Sequence, residues 1–323
     1  MRAIIHGFDT RKNCVYDLDG RASQLAHGIL LETLSIAATA FGCRSDIRHL
    51  DELENGEHQR YEVTLVPCDT VAPSPLAEFI RTRSVQRRPM TTRTIDPAVI
   101  RALEDAARPL GVKWFFTAGE RWKVARLNFS NAEVRLTIEE AYEVHRRVIE
   151  WGTRFSNDRI PEAAVGIDPL TARMMKWIMH DWNRVSFFNR WLAGTFAPRL
   201  QLDLIPGLLC GAHACLHADE ALDTAGRTVE AGRAIARFWL TCSAHALQLQ
   251  PEMTPLIFAR YARERREFTA NRVAMELARH NAGRLTDECG IDASKSAWLC
   301  RIGHGQAASS RSLRLALPEL RSS

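Results

Sequence analysis

Apolar positions along this chain fall into helical and strand-like stretches separated by short polar joints. Over residues 17–42 a turn gives way to a run in which Leu30, Leu34 and Ala37, and also Leu31 and Ala38, recur at three- and four-residue spacing, which predicts a helix. Small residues crowd one of its sides, so a second helix can approach closely. Residues 61–67 (YEVTLVP) alternate and stop at a proline, the pattern of a strand. Thr70–Pro75 is a Pro- and Ser-containing joint and the best boundary. It divides an N-terminal unit, 1–72, from a main domain, 73–323.

Beyond the joint, residues 76–88 predict a short helix ending in a basic turn. Ile95–Ala107 predicts a helix with Asp96 as N-cap and Pro97 at the first helical position. Val112–Thr117 reads as a strand and 120–150 as helical. Residues 168–193 form one or two amphipathic helices with a heavy aromatic load, and GLLCG after Pro206 reads as a short strand. A long helix over 225–249 carries small residues along one side, and Pro251 and Pro255 end it. A charged helix over 256–282 and a strand over Ser296–Ile302 complete the chain. YARERRE (261–267) is a solvated helix face with Arg263 pairing to Glu267. Helices with separated short strands indicate an α+β fold. At an offset of 204 residues, Gly28 aligns with Gly232, Leu34 with Phe238, Ile36 with Leu240 and Ala40 with Ala244, which leaves a partial internal repeat open.

Composition narrows the function classes. A chain of 323 residues, 46% hydrophobic and 25% charged, is an ordinary globular mixture, which excludes disorder and fibrous repeats. The net charge of +5 rests on 38 arginines against 5 lysines, a weak footing for a nucleic-acid surface. No apolar run approaches the ~20 residues of a membrane span. Eight scattered cysteines without a CxxC pair, behind a polar N-terminus, predict free thiols in the cytoplasm. There is no GxGxxG, GxxxxGK[ST] or GxSxG motif. Cys210, His213, Cys215 and His217 lie within eight residues, but structural zinc sites separate two ligand pairs by a longer loop, so no metal is expected.

The densest chemistry is Arg81, Arg83, Ser84, Arg87 and Arg88. Four arginines in eight residues repel one another unless an anion sits among them, and guanidinium groups bind phosphate bidentately. Taken alone, the segment reads first as a solvated basic turn.

It does not stand alone. RTRSVQRRPM followed by TTRTIDPAVIRALEDAA resembles the opening signature of the FMN-dependent nitroreductase superfamily. GRTVEAGRAIARFWLTCSAHALQLQPEMTP resembles that family's long central helix and its Pro-containing turn. SAWLCRIGHGQAASSRSLRLALPEL looks like its terminal strand and returning arginine motif. The three motifs occur in order over residues 76–320. The closer resemblance is to an atypical branch, in which a single chain is partly duplicated or the domain is fused to a ubiquitin-activating-type adenylating domain. Residues 15–70 resemble the late part of an incomplete first repeat.

The resemblance implies a nitroreductase-like fold with a mixed central sheet, bound FMN, NAD(P)H as electron donor and a small organic acceptor. It implies that Arg83, Ser84 and Arg87, with Arg81 in addition, hold the flavin phosphate and ribityl chain. Arg311 and Arg314 would close on the same phosphate. Pro251, Glu252 and Met253 would meet the ring near N5, Leu208–Cys210 would lie beside it, and residues 168–196 would form a lid. No catalytic side chain is required, because the cofactor carries the chemistry. A homodimer or a pseudo-dimeric monomer is expected, with no nucleic acid or membrane partner. Two other readings remain open: a flavin-storing protein with little turnover, and a partner module for an adenylating enzyme. Departures from the pattern are Met90 for an aromatic, Gln86 as an extra residue and Thr254 where glycine is usual.

Overall fold

Helical and strand patterns resolve into two larger sheets joined by a pair of crossing helices, with two further two-stranded sheets. The computed structural model describes residues 1–53, 57–191, 194–313 and 315–320. At the N-terminus, β1 (Arg2–Phe8), β2 (Cys43–Leu53) and β3 (His58–Pro67) form an antiparallel sheet in the order β1-β3-β2. Helix α1 (Arg21–Thr39) packs Leu31 with Tyr61 and Val63 of β3. β1 and β2 have little sequence signature. β1 buries only Gly7, and β2 (CRSDIRHLDEL) is mostly polar, so neither alternates cleanly.

Helix α2 (Pro97–Ala107) begins as expected, with Asp96 accepting the Ala98 N–H at 2.7 Å. It leads into β4 (Gly111–Phe115), α3 (Ala118–Leu136) and α4 (Glu139–Val148), so the helical stretch 120–150 is broken at Thr137–Ile138. Three two-residue strands follow, β5 (Ile149–Glu150), β6 (Phe155–Ser156) and β7 (Ile160–Pro161), then the one-turn α5 (Glu162–Val165). The aromatic segment forms two helices, α6 (Pro169–Ile178) and α7 (Trp182–Trp191). The expected lid, 168–196, also includes 192–193, which lie outside the described residues. After the short α8 (Phe196–Arg199) and α9 (Ile205–Leu208) come β8 (Ala212–His217), α10 (Ala225–Ala244), β9 (Leu247–Pro251), α11 (Thr254–Arg263), α12 (Arg272–Asp287), β10 (Ser296–His304) and β11 (Arg311–Ser312).

The fold is α+β. The main sheet runs β4-β8-β10-β9 with antiparallel pairing, and Val85 adds a parallel bridge to Leu249, which makes the sheet mixed. Helices cover both faces. On one, Phe238 and Ile235 of α10 meet Leu216 and Ile302; on the other, Leu256, Leu127 and Leu285 meet Cys215 and Leu299. β10 is buried from Ser296 to Gly303 and is the centre of the domain.

Several boundaries differ from the sequence reading. The helix expected over 225–249 stops at Ala244; Ala246 takes a positive φ of 54°, after which Leu247 and Leu249 alternate into the core as β9. The helix expected over 256–282 is two helices, interrupted where Arg265 has φ 53°. Tyr261 is buried rather than solvated, as is its neighbour Arg260, and Arg263 pairs with Asp292 rather than Glu267. Leu208–Cys210 is not a strand: Pro206 starts a helical turn, and the strand begins at Ala212. Of the helix expected over 76–88, only a 3-10 turn at Ala77–Phe79 forms. The rest is drawn out by sheet contacts, with Gln86 N–H donating to the Leu249 carbonyl at 3.0 Å.

Helices α1 and α10 cross at two glycines. A Cβ on Gly28 would lie 1.9 Å from the Val229 carbonyl oxygen, and one on Gly232 would lie 2.2 Å from that of Leu25. Each glycine thus meets the carbonyl three residues before the other. Glu32 on α1 locks the crossing, with Arg233 Nε at 2.8 Å and Arg237 Nη1 at 2.9 Å.

Candidate functional site

The basic stretch near residue 84 and the C-terminal segment, far apart in sequence, meet around one cavity of about 160 Å³. Three arginines (Arg83, Arg87, Arg311) and three serines (Ser84, Ser310, Ser312) line it, with no carboxylate among the lining residues. Buried Gln86 fixes the two segments: its amide donates to the Gln306 carbonyl at 2.8 Å. The Arg83 guanidinium lies over the Trp239 ring, 4.2 Å from its centroid, and Arg87 Nη1 donates to the Ala164 carbonyl at 2.9 Å. Burial, with Arg301 and Arg135 nearby, lowers the Arg87 pKa to about 10, so it stays charged at neutral pH.

Val85, Arg87 and Ile160 also line a larger cavity of about 390 Å³. Gln250, Pro251, Glu252, Met253 and Thr254, at the junction of β9 and α11, form part of its wall with Arg301 of β10. Three buried side-chain atoms on this lining have no hydrogen-bond partner: Arg301 Nε, Gln250 Oε1 and Asn128 Nδ2. Buried polar atoms are nearly always satisfied, so such a set marks a place for a polar ligand or water.

Behind this wall lies a buried charge triad. Glu252 Oε2 is 2.7 Å from His213 Nδ1, and Glu252 Oε1 is 3.3 Å from Arg301 Nη1. His213 Nε2 reaches the Gly207 carbonyl at 2.8 Å, and Arg301 Nη2 the Arg87 carbonyl at 2.7 Å. Both ring nitrogens face acceptors, so both carry protons. Burial alone would drive the His213 pKa down, but the Glu252 carboxylate outweighs it and, with Cys210, pushes the value up to about 10. Glu252 also stays ionised: burial opposes its charge, and His213 and Arg301 overcome that.

A second polar group lines the same cavity. Arg135 Nη2 pairs with Asp203 at 2.7 Å, and the Tyr16 hydroxyl lies 3.0 Å from His145 Nε2. Burial and the charge of Arg135 lower the His145 pKa to about 3, which keeps the ring neutral.

Of the expected site residues, Arg83, Ser84, Arg87 and Arg311 come together around the smaller cavity, and Pro251, Glu252 and Met253 line the larger. Arg81 lines neither; its carbonyl accepts from Arg311. Arg314 lies outside the described residues. Leu208–Cys210 lines neither cavity, and Cys210 is fully buried. His213, Cys215 and His217 share one strand face, but His213 is taken by Glu252 and the Cys215 thiol faces Ser296 at 3.4 Å. Among the described residues no three His, Cys, Asp or Glu side chains are grouped to hold a metal ion. Sequence reasoning missed Arg301, a lone charge in an apolar strand, which was a legible signal. It also missed Tyr16, Asn128, Arg135, His145 and Asp203, whose meeting depends on tertiary packing.

No family model and no curated protein matches the chain. Among solved structures, a nitroreductase-like family protein from Bacillus cereus covers 77% of this chain and 95% of its own, with 12% identity and a TM-score of 0.38. An FMN-dependent nitroreductase from Mycobacterium smegmatis, in complex with NADPH, covers 76% and 97%, with 15% identity and a TM-score of 0.37. An FMN- and NADPH-dependent nitroreductase from sphigopyxis sp. strain HMH covers 77% and 98%, with 17% identity and a TM-score of 0.41. Likenesses of this degree assign no family. No helix of the described residues is long and apolar enough to cross a membrane.

Proposed function

We propose that the chain binds FMN across the two joined cavities and acts as an oxidoreductase that passes electrons from NAD(P)H to a small organic acceptor. The observation that carries this reading is the cavity of three arginines and three serines without a carboxylate, which shares Val85, Arg87 and Ile160 with a 390 Å³ cavity. The first suits a phosphate ester, because guanidinium and hydroxyl donors satisfy its oxygens while no acidic group repels it. The second suits a planar heteroaromatic ring, whose edge atoms would pair with the unpartnered Arg301 Nε and Gln250 Oε1.

Arg83, Ser84, Arg87 and Arg311 would hold the phosphate end, with Arg83 positioned by Trp239. When bound, the flavin supplies hydride transfer, and the chain supplies orientation and electrostatics. The Glu252 N–H already donates to the Leu299 carbonyl at 2.7 Å. A backbone donor toward the ring therefore falls to Met253 or Thr254, at the N-terminus of α11, where the first N–H groups of a helix lack internal partners. The net positive His213–Glu252–Arg301 triad would favour added negative charge in the neighbouring cavity.

The purified protein is expected to be yellow, to release FMN on denaturation, and to bleach rapidly when mixed with NADPH without oxygen. Colourless protein with no released flavin would overturn the reading. A flavin that stays oxidised for minutes with NADPH would instead favour storage, a role suited to the roof that α6 and α7 place over the adjoining space. Replacing Arg83 or Arg311 with alanine should weaken flavin binding about tenfold or more, as expected for one charge-assisted contact. Flavin content per protein, measured after dilution and gel filtration, checks it.

A further inference from the structure

A third cavity, of about 120 Å³, lies under the paired helices α6 and α7. Met175 and Ile178 of α6, Met179 just past its end, and Val185 and Phe188 of α7 line it, and its remaining wall is mostly apolar. Arg135, His145, Ile149, Val165 and Leu202 line both this cavity and the 390 Å³ one, so they form the partition between them.

The charges of the partition are already compensated. Arg135 is paired with Asp203 at 2.7 Å, and His145 is neutral and in contact with the Tyr16 hydroxyl at 3.0 Å. At the partition an anionic ligand would meet the Asp203 carboxylate and a cationic one would meet Arg135, and these two are already paired with each other. Of the three unpartnered polar atoms on the larger cavity, Arg301 Nε and Gln250 Oε1 are left to the flavin, and Asn128 Nδ2 is the third. Asn128 is 3% exposed, lines the larger cavity, and its Nδ2 has no partner. It is a buried donor in want of an acceptor, which costs free energy until one arrives.

We propose that these features form a binding site for a neutral, largely apolar molecule with one carbonyl-type oxygen. The oxygen accepts from Asn128 Nδ2 on the wall of the larger cavity, and the hydrocarbon body extends past the shared residues into the cavity beneath α6 and α7. The site rests on the flavin reading only in leaving the Gln250–Thr254 side of the larger cavity to another ligand. It names the chemical class of the electron acceptor if that reading holds.

The test is displacement of the neutral fluorescent probe N-phenyl-1-naphthylamine from the full-length protein. Competitors are 2-ketones of increasing chain length, the matching alkanes and the matching carboxylates. Ketones should bind about fourfold more tightly per added methylene, the transfer free energy of one CH₂, up to a plateau once the cavity is full. Carboxylates of equal length should bind at least about tenfold more weakly, consistent with an uncompensated buried charge. Asn128→Leu should remove the advantage of ketone over alkane and leave alkane displacement unchanged. Met179→Trp, which fills the cavity from α6's end, should abolish the chain-length dependence. Equal displacement at all chain lengths, carboxylates that match or beat ketones, or an Asn128→Leu variant with wild-type ketone preference would each overturn the proposal. Flavin released from every sample is measured in parallel. Graded ketone binding without flavin sinks the flavin reading and leaves this site standing; flavin without graded ketone binding does the reverse.

Discussion

His213 shows how far one residue's chemistry depends on its partners. In the sequence it stands among Cys210, Cys215 and His217 and invites comparison with a metal ligand. In the fold it is a buried cation between the Glu252 carboxylate and the Gly207 carbonyl. Nothing in GAHAC foretells Glu252, 39 residues on, and only the isolated arginine of SAWLCRI hinted that a buried charge needed neighbours. The pH dependence of stability follows. The folded pKa of about 10 stands above the ordinary 6.5, so the His213 contribution is complete below 6.5 and is lost as pH rises through about 10. His145 acts on the other limb. Its folded pKa of about 3 lies below 6.5, so the unfolded chain takes up a proton first and stability falls as pH drops from 6.5 toward 3. Melting temperature against pH should therefore peak near 6.5. His213→Asn should flatten the alkaline limb and cost about 3 kcal/mol, since it strands part of the Glu252 charge. His145→Phe should flatten the acid limb.

At the scale of elements, the helices were legible where apolar spacing and caps agreed. Asp96-Pro97 started α2, and the small-residue run of 225–244 marked α10. The failures came where backbone conformation changed inside a continuous pattern. Ala246 and Arg265 both adopt positive φ without being glycine, so no residue type announced the ends of α10 and α11. β1 and β2 went unseen because sheet pairing, rather than side-chain burial, defines them. The small-residue side predicted for the first helix does have its close neighbour, α10. Gly28→Ala and Gly232→Ala should each destabilise by about 2–3 kcal/mol, because the new methyl meets a backbone carbonyl that cannot rotate away. Combined, the two should cost less than their sum, since both open the same crossing. Urea denaturation of the three variants checks both statements.

Across the whole molecule, the arginine arithmetic took on meaning through topology. Arg83 and Arg311 are separated by most of the main domain in sequence, yet they line one cavity, because β9 and β10 bring the segments flanking Gln86 and Gln306 side by side. The order of three motifs along the chain pointed to that meeting, although the motifs could not supply the partition built from Arg135 and His145. The segment before the Thr70–Pro75 joint carries no part of the arginine cluster, but its Tyr16 reaches the larger cavity. Its main contact is the reciprocal crossing of α1 with α10, where Leu25 and Val229 stand in matching places about Gly28 and Gly232. If this crossing substitutes for a subunit interface, light scattering should find a monomer across a wide range of protein concentrations.

The crossing has one more consequence. Two helices that meet on separate chains drift apart when the solution is thinned, and whatever site they build goes with them. Here both belong to one covalent thread, so their encounter is intramolecular and its effective concentration is set by the connecting chain rather than by the solution. A cavity that draws Tyr16 from one side of the crossing and Arg301 from the other therefore keeps its shape in a cell holding only a few copies of the protein.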